Sequence, residues 1–140
     1  MGGVTEEMEC DRFAIDFLFD GCAEYAQKNN HAAVDVQRKR AMGLFLGLAV
    51  ILESTEHGLW LPSVTHPPLY ERLKQLLDVV GQGFSDPNDP FWVFAACVLL
   101  SKLRRDGRRP LVIDLKSCRD LVLIMVGRLK LPDSVTRQTV

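Results

Sequence analysis

No apolar run in this sequence is long enough to cross a bilayer. The longest, Ala41 to Leu52, is 12 residues, against the roughly 20 that a spanning helix needs. Nor is there an N-terminal leader pattern, because the first residues are acidic and no apolar stretch follows at the required position. Gly2 does not complete a myristoylation motif, since Glu6 stands where serine or threonine is needed. These absences point to a soluble protein without a lipid anchor.

Chemistry is scarce as well. The four cysteines, Cys10, Cys22, Cys97 and Cys118, are not paired at metal-binding spacing, and the three histidines, His31, His57 and His66, are not beside them. Zinc sites announce themselves by close ligand pairs, so neither a metal nor another cofactor is expected. Each cysteine lies in or beside an apolar run, where a thiol behaves as a small core residue, which favours a reducing, intracellular compartment, cytoplasmic or nuclear. There is no glycine-rich phosphate loop, no dinucleotide-binding turn and no Gly-x-Ser-x-Gly elbow. His57 and His66 flank Trp60 in a loop, with no nucleophile motif to serve. On these grounds the chain is expected not to be an enzyme.

Net charge is also missing, at −1 over 140 residues, so no global field draws the molecule to nucleic acid or membranes. The balance hides a polarity. Residues 1–30 carry seven acids against two bases, and residues 91–140 carry ten bases against four acids. Asp16, Asp20 and Glu24 stand four apart and predict a solvated acidic stripe rather than a cation site, since no Glu-x-x-His motif accompanies them. Lys102, Arg104, Arg105, Arg108 and Arg109, with Lys116 and Arg119 close by, form the densest basic cluster. The segment 102–119 is therefore a candidate contact for nucleic acid, another polyanion or an acidic partner.

What the sequence does have is helical periodicity. Ala14, Phe17, Leu18, Gly21, Cys22 and Tyr25 recur at helical spacing and predict one helix from Glu6 to about Lys28. A second is expected from about Ala32 to Ser54, polar at first and apolar on every side after Met42. Gly43 and Gly47 within it suggest a close helix crossing. A loop covers 56–65. A third helix opens at Pro67 and Pro68 and ends at Gly81 to Gly83. Ser85 to Pro90 is a turn, and Asp89 is a cap for a fourth helix, Pro90 to Arg105. Pro110 to Asp114 is β-prone but has nothing to pair with. A fifth helix starts at Asp114 or Ser117 and ends near Gly127 to Lys130. Residues 1–4 and 132–140 are expected to be loose ends of a single domain spanning 1–140.

About five helices without a confident strand make an all-α fold. Helix pairs of similar length joined by proline- and aspartate-rich turns resemble a short armadillo/HEAT-like stack, and a compact orthogonal bundle fits as well. The apolar stretches exceed what so few helices can enclose. The surplus, with Trp60, Phe84, Phe91 and Trp92 in loops or at a helix start, predicts a partner-binding surface. The expected function is an interaction, scaffold or adaptor domain. It would dock a peptide, a helix or a copy of itself in an apolar groove with a charged rim, and polyanion binding is the alternative.

Overall fold

A computed structural model describes residues 3–54, 69–105, 107 and 114–129. Among them are six helices and no strand: α1 (Gly3–Phe19), α2 (Cys22–Lys28), α3 (Ala33–Ser54), α4 (Leu69–Gly83), α5 (Pro90–Arg105) and α6 (Cys118–Leu129). The all-α class stands. Trp60, His57, His66, Pro67, Pro68, Arg108, Arg109, Leu111–Ile113 and the tail from Lys130 lie outside the described residues.

The first expected helix is two. Asp20 and Gly21 interrupt it, and Gly21 takes φ 65°, a left-handed conformation that glycine adopts without Cβ strain. The break resets the helical phase, so the predicted face does not hold. Ile15, Cys22 and Ala26 are buried, whereas Phe17 and Tyr25 face outward. Phe13 and Phe17 stack on each other on the exposed side of α1, with ring centroids 6.1 Å apart.

The closed core rules out a linear stack, in which each unit would touch only its neighbours. α3 packs on α1, α2, α4 and α5, while α6 closes against both α4 and α5. Leu73, Leu76, Leu77 and Val80 of α4 meet Phe45 of α3, Leu99 of α5 and Val122 of α6 in one cluster. α4 is the most clearly two-sided helix: its leucines point inward, and Lys74 and Asp78 face water.

Aromatic residues close this core. Phe84, Phe91 and Trp92 are 3%, 0% and 1% exposed, which corrects the expectation that they form a contact surface. The reason lies in the turn before α5. Asp89 accepts a hydrogen bond from the Phe91 N–H at 2.9 Å and caps the helix as expected. Its carboxylate also binds Arg38 of α3, which draws the first turn of α5, and both rings, onto α3 and α4. The turn is itself tied down: Asn88 accepts from the Cys118 N–H at 3.0 Å, and the Pro87 carbonyl from the Arg119 N–H at 3.0 Å. Ser117 caps α6 through the Asp120 N–H at 3.1 Å.

A second ion pair holds α1 to α4. Arg72 donates to both carboxylate oxygens of Asp11, its Nη2 at 2.7 Å, with Glu7 3.9 Å away. Part of the acidic N-terminal charge is thereby used inside the fold. The expected crossing at Gly43 and Gly47 is not formed, because a Cβ at either would meet nothing within 4 Å. The two glycines therefore separate two costs. Gly47→Ala should stabilise the protein by up to about 1 kcal/mol by restoring helix propensity, whereas Gly21→Ala should destabilise it by about 1 kcal/mol, because its φ is strained for an L side chain. Urea midpoints of the two variants, moving in opposite directions, check this.

Candidate functional site

Where α2 turns into α3 the chain reverses tightly. Asn30 sits at φ 55°, the Asn29 side-chain amide donates to the Tyr25 carbonyl at 2.8 Å, and the His31 N–H donates to the Ala26 carbonyl at 2.8 Å. His31 is thus set beside the polar first half of α3. Together with Tyr25 of α2 it lines a cleft of about 610 Å³, whose other walls include Asp35, Arg38, Lys39 and Arg40 of α3.

Two arginines frame this cleft. Arg38 is held on two sides, by Asp35 at 2.6 Å and by a bidentate pair with Asp89 at 2.9 Å. The Asp89 hydrogen bonds hold the Arg38 guanidinium firmly charged, against the opposing effect of burial. The same bonds lower the Asp89 carboxyl below its usual range, assisted by the Phe91 amide. Arg40 bridges the α1–α2 break, donating to the Leu18 carbonyl at 2.5 Å and the Asp20 carbonyl at 3.3 Å, and its guanidinium lies 5.5 Å from the centre of the Tyr25 ring. The cleft walls are therefore fixed from three helices, while His31, Asp35 and Lys39 are open to water. An imidazole, a carboxylate, a phenol and a lysine around one cavity are groups able to move protons and stabilise developing negative charge.

A second cavity, of about 480 Å³, opens between the later parts of α3 and α5. Leu46, Val50, Phe94 and Val98 line it, with Lys102 and Arg105 also in its wall. Leu46 is 47% and Val50 56% exposed. The predicted surplus of apolar surface exists, but on α1, α3 and α5 rather than at the aromatic residues.

The predicted basic cluster is divided. Lys102 is only 7% exposed and belongs to the groove, because its place on α5 faces α3; it is not part of a solvated patch. Arg104, Arg105 and Lys116 are exposed, and Arg108 and Arg109 fall outside the described residues. Asp16, Asp20 and Glu24 do not form a stripe on one helix, since the break at Gly21 separates them. Among the described residues no three His, Cys, Asp or Glu side chains gather as a metal site. No described helix is long and apolar enough to cross a membrane.

Sequence reasoning missed the cleft of Tyr25, His31, Asp35 and Arg40. Its one linear signal is the polar start of a helix whose second half is apolar all round. A charged half-turn that deep in an otherwise enclosed helix needs a reason to be there.

A model of the Peptidase U49 family matches residues 3–95, about two thirds of the chain, including every residue that lines the polar cleft. No curated protein and no solved structure matches. The family match overturns two expectations, that the chain is not an enzyme and that it serves as an interaction or scaffold domain. Both rested on the lack of a linear catalytic motif, and a motif search is blind to groups brought together only by folding.

Proposed function

The chain belongs to the Peptidase U49 family, and from that membership we propose that it hydrolyses peptide bonds in the cleft between α2 and α3. The carrying observation is the match over residues 3–95. The chemistry of the cleft supports it, since hydrolysis needs a base to activate water, a cation or donor for the oxyanion and an acid for the leaving amine.

In this reading the His31 imidazole takes a proton from water as its oxygen adds to the scissile carbonyl carbon. Lys39 and the Tyr25 hydroxyl face the oxyanion that forms. When the C–N bond breaks, the imidazolium returns its proton to the leaving amine, and the products are a carboxylate and a free N-terminus. The nearby Asp35 carboxylate favours the imidazolium along the way. The partner is accordingly a polypeptide substrate. The four cysteines, all free thiols, support an intracellular setting.

The test is purified full-length chain incubated with casein and with a mixed peptide library, new N-termini being identified by mass spectrometry. Cleavage is expected, and His31→Gln should lower it by at least about a hundredfold, the usual loss of a general base. His31 is exposed, so the variant should keep its helical circular dichroism and melting temperature. Cleavage absent from the wild type, or equal in the variant, would refute the assignment.

A further inference from the structure

The polar cleft and the apolar groove are two ends of one track. Asp35, Lys39, Met42, Leu46 and Ala49 recur at intervals of four and three along α3, so they share one face of the helix; the first three line the cleft and the last two the groove. α5 runs beside α3 in the same sense. Arg38 meets Asp89 near their starts, Phe45 meets Phe91 and Phe94 further along at 6.0 and 6.3 Å, and Leu46 to Val50 share the groove with Cys97 to Arg105. The cationic residues therefore stand at the end of the groove farthest from the cleft.

Resting on the reading of the cleft as the place of hydrolysis, we propose that the groove is a substrate subsite for an apolar side chain followed by an acidic one, several residues from the scissile bond. The Asp89 to Lys102 segment of α5 rises about 20 Å at 1.5 Å per residue. An extended peptide covers that distance in about six residues at roughly 3.3 Å each. Exposed Leu46 and Val50 with half-buried Phe94 and Val98 offer a trough for a leucine-sized side chain. Lys102, recessed in the wall, and exposed Arg105 favour a carboxylate at its far end and disfavour a cation there. The occupant is a segment of polypeptide, and the groove selects which substrates are held.

Binding can be read apart from cleavage. Fluorescein-labelled dodecapeptides of glycine and serine carry a Leu-Leu pair followed by Glu-Glu, Ser-Ser or Lys-Lys, and are titrated with the full-length chain by anisotropy at low salt. The Glu-Glu peptide should bind at least about tenfold tighter than the Lys-Lys peptide. Leu46→Glu, a change at an exposed position, should abolish the binding, and Arg105→Glu should reverse the order of the two peptides. His31→Gln should bind as the wild type does. Equal affinity for the three peptides, or binding indifferent to Leu46→Glu, overturns the proposal. So does a dimer in analytical ultracentrifugation that Leu46→Glu dissociates, since a second copy would then occupy the groove. Selective binding without any hydrolysis would sink the catalytic reading and leave the subsite standing, while hydrolysis without selective binding does the reverse.

Discussion

Phe91→Ala is expected to destabilise the protein by about 3–5 kcal/mol, the range for removing a fully enclosed phenylalanine. Phe91 has no exposure at all. Its ring stacks on Phe84 at 5.7 Å and 17°, and meets the edges of Trp92 at 5.2 Å and Phe45 at 6.0 Å. Those three neighbours belong to α3, α5 and the end of α4, so no single side-chain rotation can fill the space left behind. The cavity term adds to the lost transfer energy. Domains of this size hold only about 5–15 kcal/mol in total. The loss should therefore lower the melting temperature by about 10–15 °C and bring the urea midpoint down with an unchanged slope. Phe13→Ala is the control. Phe13 is 71% exposed, and its removal should cost no more than about 0.5 kcal/mol. Equal losses in the two variants would mean that Phe91 is not the enclosed hub.

That pair of phenylalanines also shows how much of this molecule was legible in its residues. Helix position was readable wherever a cap or a breaker stood: Asp89-Pro90 opens α5, Ser117 opens α6 and Gly83 ends α4, all as expected from local chemistry. Orientation was less readable. Phe13 and Phe91 are the same residue in apolar surroundings, and nothing local says that one is outside and the other inside. The difference comes from Arg38 reaching across 51 positions to Asp89, a pairing that periodicity does not encode. The break at Gly21 was hidden for a related reason. The residues on either side keep helical spacing in sequence, and only the left-handed φ disrupts it in space.

The candidate site was less legible still. His31 follows a pair of asparagines and reads as a helix end, which it is. Its possible chemical use arises because the turn sets it against Asp35 and Lys39, and because Arg40 secures the α1–α2 break to the same helix. None of these residues forms a linear motif. The apolar stretch of α3, taken from composition as a reason for a partner surface, is instead split. One side, with Phe45 and Ala41, is enclosed, and the other, with Leu46 and Val50, lines a groove that continues from the cleft.

Asp89→Ala should cost about 3 kcal/mol or more, because one carboxylate joins three functions. It caps α5, a role worth about 1 kcal/mol. It also neutralises Arg38 in a largely buried pair, where removing one partner strands the other charge and costs roughly 3–5 kcal/mol. Asp35 still holds Arg38 from the solvent side at 2.6 Å, which keeps the expected sum toward the lower end. Asp89→Asn, retaining an acceptor for the Phe91 amide, should lose less. Arg38→Met combined with Asp89→Ala should lose less than the two single changes added together, since no charge is then left unpaired. Acid offers an independent check. The Arg38 hydrogen bonds hold the folded Asp89 carboxyl below its usual range, so protons bind the unfolded chain first. The stabilisation is thus complete above the usual carboxylate value and is lost as the pH falls through the lower folded one. Asp89→Asn should lack that part of the acid slope, and a variant melting curve that tracks the wild type down to low pH would contradict the pairing. Arg38 lines the cleft, and Asp89 fixes α5 alongside α3. Asp89→Ala should therefore weaken both hydrolysis and peptide selection, whereas Phe13→Ala should leave both intact.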